Sequence, residues 1–181
     1  MNKCEKYFFI DHKYHIIRRA IDCCFLKGQE ENIEMLKEFG VEQLIPRSYL
    51  DDKLECLGYF VYRRPYDINR MITVGETGED FNTLGNIYLN FFVENQKKLI
   101  TNDFADESVV LYYRGSRFGI SPFTHIGVMD KGKVISKFSK HSVFRHPIEY
   151  VPTVYGNRVV NMKIENTLER DMWKWSRLGK L

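Results

Sequence analysis

Between Glu107 and Phe138 the chain alternates short apolar runs with turn sequences, and this punctuation limits its possible folds more than any other feature. The runs are Glu107-Ser-Val-Val-Leu-Tyr-Tyr-Arg114, Thr124-His-Ile-Gly-Val-Met129 and Lys133-Val-Ile-Ser-Lys-Phe138. β-Branched and aromatic residues dominate them. Arg-Gly-Ser, Ser-Pro-Phe and Asp-Lys-Gly-Lys separate them, sequences that serve turns rather than helix interiors. Three consecutive strands are predicted, with His125 opening the middle one close to Gly127. Several unrelated hydrolases present a general base to a nucleophile from such a strand mouth.

These residues resemble the papain-like superfamily in its compact form, the NlpC/P60-type cysteine peptidases and amidases, whose middle strand reads His-x-Gly-aliphatic. The likeness spans residues 50–165. In that family a cysteine stands upstream at the start of a helix, and a phrase of the Val-Val-Leu-Tyr kind precedes the histidine strand. The resemblance makes Cys56, in Leu54-Glu-Cys-Leu-Gly-Tyr-Phe-Val61, the nucleophile and His125 its base. It also implies a backbone N–H at Cys56 in the oxyanion hole. Ile135-Ser-Lys-Phe138, His146-Pro and Val151-Pro-Thr-Val-Tyr-Gly156 are similar to the tail of a branch of the same superfamily.

The chain departs from the family at the third catalytic position. A His, Asn or Gln on the strand after the histidine is usual there, and this sequence offers Ser136 or Lys137. Ser136 is able to accept a hydrogen bond from an imidazole N–H, and His141 or His146 to fold back from the next loop. Cys56, His125, Ser136 and His146 are therefore the candidate catalytic residues.

A length of 181 residues fits one domain with its own core, and 44% hydrophobic with 28% charged residues is a globular composition. No apolar run reaches the roughly 18 residues of a membrane helix. The first residues carry too short an apolar stretch for a signal peptide and no small-residue cleavage site, so a cytoplasmic protein is expected. Cys4, Cys23, Cys24 and Cys56 all fall in the first third. That is too sparse for a secreted disulfide scaffold, and reduced thiols are the expectation.

Residues 1–45 read as a helical extension packed on a core formed by 46–181. In the first helix Tyr14, Ile17, Ile21, Cys24 and Phe25 make an apolar stripe, with Arg18, Arg19 and Asp22 off it. A second helix over Gln29 to Phe39 carries Ile33, Leu36 and Phe39 on one side and stops at Gly40, the residue suited to a left-handed C-terminal turn. Asp51 or Asp52 is placed to cap a helix over Lys53 to Arg64 that ends at Pro65, with Cys56 in its first turn. The helix dipole there favours a thiolate. The same letters also fit a strand from Leu57 to Arg63. A polar connection over 66–85, a helix over Asn86 to Leu99, a strand over Asn157 to Glu165 and a basic tail with Trp173 and Trp175 complete the organisation.

Other chemistries fit less well. His12 and His15 share a helix face, but adjacent Cys23 and Cys24 point about 100° apart, which is poor zinc geometry, so no metal is assigned. Gly75-Glu-Thr-Gly-Glu-Asp80 lacks the Lys and Ser/Thr of a phosphate loop and reads as a turn, and no cofactor is called for. The net charge is only +3, and the basic segments Lys131 to Arg145 and Trp173 to Lys180 read as solvated faces rather than a nucleic-acid stripe.

The expected protein is an α+β, papain-like (NlpC/P60-like) cysteine hydrolase with an N-terminal helical hairpin. It would act on an amide or thioester of a protein or peptide substrate, without membrane or nucleic-acid partners. Peptidase, amidase and glutamine deamidase chemistry all fit, as does a role as bacterial effector, toxin or defence enzyme. The competing reading is a catalytically inactive module of the same fold that binds a protein, as immunity and adaptor proteins do.

Overall fold

The structure is a computed structural model and describes residues 8–26, 33–46, 56, 99–114, 123–138 and 141–163. The described part is α+β, an antiparallel sheet with few helices. In chain order the elements are β1 (Phe8–Phe9), α1 (His15–Leu26), α2 (Ile33–Leu36), β2 (Glu42–Ile45), β3 (Ile100–Thr101), β4 (Val109–Tyr113), β5 (His125–Asp130), β6 (Lys133–Lys137), β7 (Val143–His146) and β8 (Arg158–Met162). Single 3-10 turns stand before α1 at His12–Tyr14, after α2 at Lys37–Phe39 and before β8 at Thr153–Tyr155.

Strands β4 to β7 form a meander, and β8 crosses back to pair with the outer edge of β4, giving the order β1-β8-β4-β5-β6-β7-β2. β3 shares β8 with β1, pairing Ile100 with Met162 where β1 pairs Phe8 with Val159. Register follows the turns. Between β5 and β6 the two loop residues Lys131 and Gly132 have φ of 51° and 75°, so the Asp130–Lys133 pair closes a two-residue hairpin whose twist matches its strands. Asp106 supports the uncommon conformation at Lys131 by accepting its backbone N–H at 2.7 Å.

The 1–45 segment is not helical throughout. It also supplies β1 and β2, which lie on the β8 and β7 sides of the sheet, with Glu42 opposite Arg145 and Phe9 opposite Arg158. Its helices each offer one apolar stripe and are too short to stand alone, so they fold against the sheet. Gly40, at φ 78°, makes the expected left-handed stop, and Val41 buries directly after it. Phe39 is a correction: it is 47% exposed. The tightening from α-helix to 3-10 turn after Leu36 rotates it off the stripe that Ile33 and Leu36 follow.

One face of the sheet packs against these helices. Val110, Tyr112, Met129, Val134, Phe144 and Val159 meet Ile21, Cys24, Phe25, Ile33 and Leu36 in a single core. Phe25 sits edge-on to both Phe138 and Phe144, with centroids 5.3 and 4.8 Å away. Burying a side chain such as Ile21 or Phe25 stabilises the fold by about 1.5–3 kcal/mol. The alternate strand residues Val109, Leu111, Ile126, Ile135, Val143 and Val160 are buried as well. Lys137 corrects the reading of Lys131 to Arg145 as a solvated face, because it is fully buried. Among the described residues no helix is long and apolar enough to cross a membrane.

Candidate functional site

The helix-facing side of β5, β6 and β7 brings His125, Ser136 and His146 together, and all three are buried. Ser136 Oγ lies 2.9 Å from His125 Nε2 and 2.9 Å from His146 Nε2. The other nitrogen of His146, Nδ1, is 2.7 Å from the Pro147 carbonyl oxygen. A carbonyl only accepts, so Nδ1 of His146 carries the hydrogen and Nε2 presents a lone pair. Ser136 then donates its hydroxyl hydrogen to His146 and accepts from Nε2–H of His125. The direction of the whole chain follows from one backbone carbonyl. His125 is left with a bare lone pair on Nδ1.

Burial makes both rings neutral. Desolvation, and secondarily His146, holds His125 well below the ordinary histidine value of 6.5. Desolvation also brings His146 down to about 4; the Pro147 carbonyl opposes the shift and Lys133 adds to it. Nδ1 of His125 is a buried acceptor with no hydrogen-bond partner among the described residues, Cys56 included.

Gly127 makes room for this arrangement. A Cβ there would stand 2.4 Å from Val134 Cγ1 and 3.1 Å from Ser136 Cβ, so a side chain would displace the serine that links the rings. The His-x-Gly phrase thus has a local packing cause. Around His125 the walls are aromatic: Tyr155 lies flat on the ring at a 3.8 Å centroid distance and 3°, while Tyr112 and Phe138 approach at 5.6 and 5.8 Å.

Tyr155 is held from α1, a part of the site that the sequence reading missed. Arg18 is 6% exposed and donates to the carbonyls of Val151 (2.9 Å), Pro152 (3.2 Å) and Gly156. One turn further on, Asp22 accepts Thr153 N–H at 2.8 Å and its hydroxyl at 2.5 Å. Both residues were placed off the apolar stripe. The signal was spacing: position 18 falls four after Tyr14 and three before Ile21, inside the buried face. Burial lowers the Arg18 pKa, with Asp22 and Tyr112 opposing.

Cys56 is helical and half-buried. The rest of the 53–64 segment lies outside the described residues, as do Cys4, the connection over 66–85, the 86–98 part of the next helix and the basic tail. His141 does not join the two histidines; its ring lies 5.5 Å from that of Phe25. His12 and His15 stack on the surface at 5.2 Å, and among the described residues no group of three or more potential ligands is placed to hold a metal ion. No family model matches the chain, and neither a curated protein nor a solved structure does.

Proposed function

We propose that the chain is a papain-like cysteine hydrolase of the NlpC/P60 kind, in which Cys56 attacks an amide or thioester carbonyl of a protein or peptide and His125 moves the proton. The observation that carries the reading is the direction of the His125–Ser136–His146 chain, which leaves Nδ1 of His125 as an unprotonated acceptor. A nucleophile needs a base, and the base needs a third group to hold its tautomer. Ser136 and His146 would take the part of that third group. Because burial keeps His125 neutral, it would accept the thiol proton as Cys56 adds to the carbonyl, then return it to the leaving amine or thiol. Water would release the acyl group by the same route. Catalytic hydrogen bonds often form only once substrate is bound, so the reading does not require a bond from Cys56 to Nδ1 in the free protein.

The non-catalytic binding module has one observation in its favour, the complete burial of His125 and His146. Buried polar networks also serve to specify a core.

Turnover of a panel of peptide amides and acyl thioesters by Cys56→Ala, His125→Ala and the double variant separates the two. Members of one catalytic unit are non-additive, so the hydrolase predicts that each single variant loses what the double loses. Full activity in Cys56→Ala, or a double variant far worse than either single, contradicts it.

A further inference from the structure

We propose that Arg18 and Asp22 on α1 are positioning residues for His125, acting through the 151–156 turn and the ring of Tyr155. The inference deepens the hydrolase reading but is testable without it.

Two side chains one helical turn apart grip one short loop at both ends and in the middle. Arg18 holds the carbonyls of Val151, Pro152 and Gly156, and Asp22 holds the N–H and hydroxyl of Thr153. The loop is fixed from the sheet side as well. Thr124 Oγ1 lies 2.6 Å from the Tyr155 carbonyl, and Gly156, at φ 88°, passes so close to β4 that a Cβ would stand 1.9 Å from the Tyr113 carbonyl oxygen. Tyr155, between these anchors, has no freedom to leave the face of His125.

The stack restricts the one motion that the hydrogen bonds permit. A single bond from Nε2 to Ser136 leaves the imidazole able to tilt about that contact. A ring lying 3.8 Å away and 3° from parallel removes the tilt and fixes where the Nδ1 lone pair points. Two helical residues, Arg18 and Asp22, that the sequence places more than 100 residues before the histidine thereby set the orientation of the base.

The test is nitrogen NMR of the His125 side chain in the full chain, comparing wild type with Asp22→Asn, Tyr155→Leu and Tyr155→Phe, all at a pH where each is folded. Wild type and Tyr155→Phe, which keeps the flat ring, are expected to show one tautomer with hydrogen on Nε2. Asp22→Asn and Tyr155→Leu are expected to keep the hydrogen on Nε2, which the Ser136–His146 chain sets, but to show broadened or doubled imidazole signals from rings of different tilt. Arg18→Lys, which keeps charge but not the fork, is expected to do the same. If the folded variants show the wild-type His125 pattern and differ only in stability, the residues are purely structural and the proposal is overturned. Activity plays no part in this readout, so failure of the positioning claim and failure of the hydrolase reading are distinguishable.

Discussion

The ring of Tyr155 lies flat on that of His125, with centroids 3.8 Å apart and planes within 3° of parallel. The contact joins a loop held by the first helix to the opening residue of β5. Consequences for stability and chemistry follow from the hydrogen-bonded chain beneath it.

Ser136→Ala removes the only bridge between two buried rings among the described residues. It strands Nε2–H of His125 and Nε2 of His146, each away from water. A stranded buried donor or acceptor costs about 1–3 kcal/mol, so with two stranded a loss of about 2–6 kcal/mol is expected in urea unfolding. A loss below about 1 kcal/mol would show that the bonds contribute little.

Gly127→Ala is expected to destabilise by about 1–3 kcal/mol through overpacking, since the new methyl group meets Val134 and the Ile135 carbonyl and presses on Ser136. Thermal unfolding measures it. Neutral behaviour would mean that β5 and β6 separate easily, against the close approach seen here.

Stability should fall as pH falls through the histidine range. His146 has a folded value of about 4 against 6.5, and His125 is lowered too, so between those values the unfolded chain binds protons that the folded chain refuses. Stability is therefore complete above pH 6.5 and lost on the way down to pH 4, by about 3 kcal/mol for His146 alone. Denaturant midpoints measured from pH 8 to 4.5 check the sign. A midpoint that is flat between pH 6.5 and 5, or rises there, contradicts neutral burial.

Much of the sheet was legible in the sequence because β4, β5 and β6 are short, rich in β-branched residues and bounded by turn residues, down to the Lys131-Gly132 hairpin. β1 and β2 were not, because a two-residue and a four-residue strand carry too little alternation to register and depend on β8 and β7 for their existence. The meeting of His125 with Ser136 and His146 is a cross-strand relationship. Residue types offered Ser136 as an acceptor, whereas the directed chain needed register and the Pro147 carbonyl. Arg18 was hidden by its charge: a periodicity reading scores it as surface, although its position on α1 is in the buried face and its partners are carbonyls far along the chain.

The most direct test of the proposed catalytic pair is the rate at which iodoacetamide alkylates each cysteine of the folded protein, resolved by mass spectrometry, in wild type and His125→Gln. If His125 Nδ1 serves as base to Cys56, Cys56 reacts faster than Cys4 and Cys23 and loses that advantage in His125→Gln. A Cys56 that reacts no faster than the others, at a rate the His125 substitution leaves unchanged, contradicts the account.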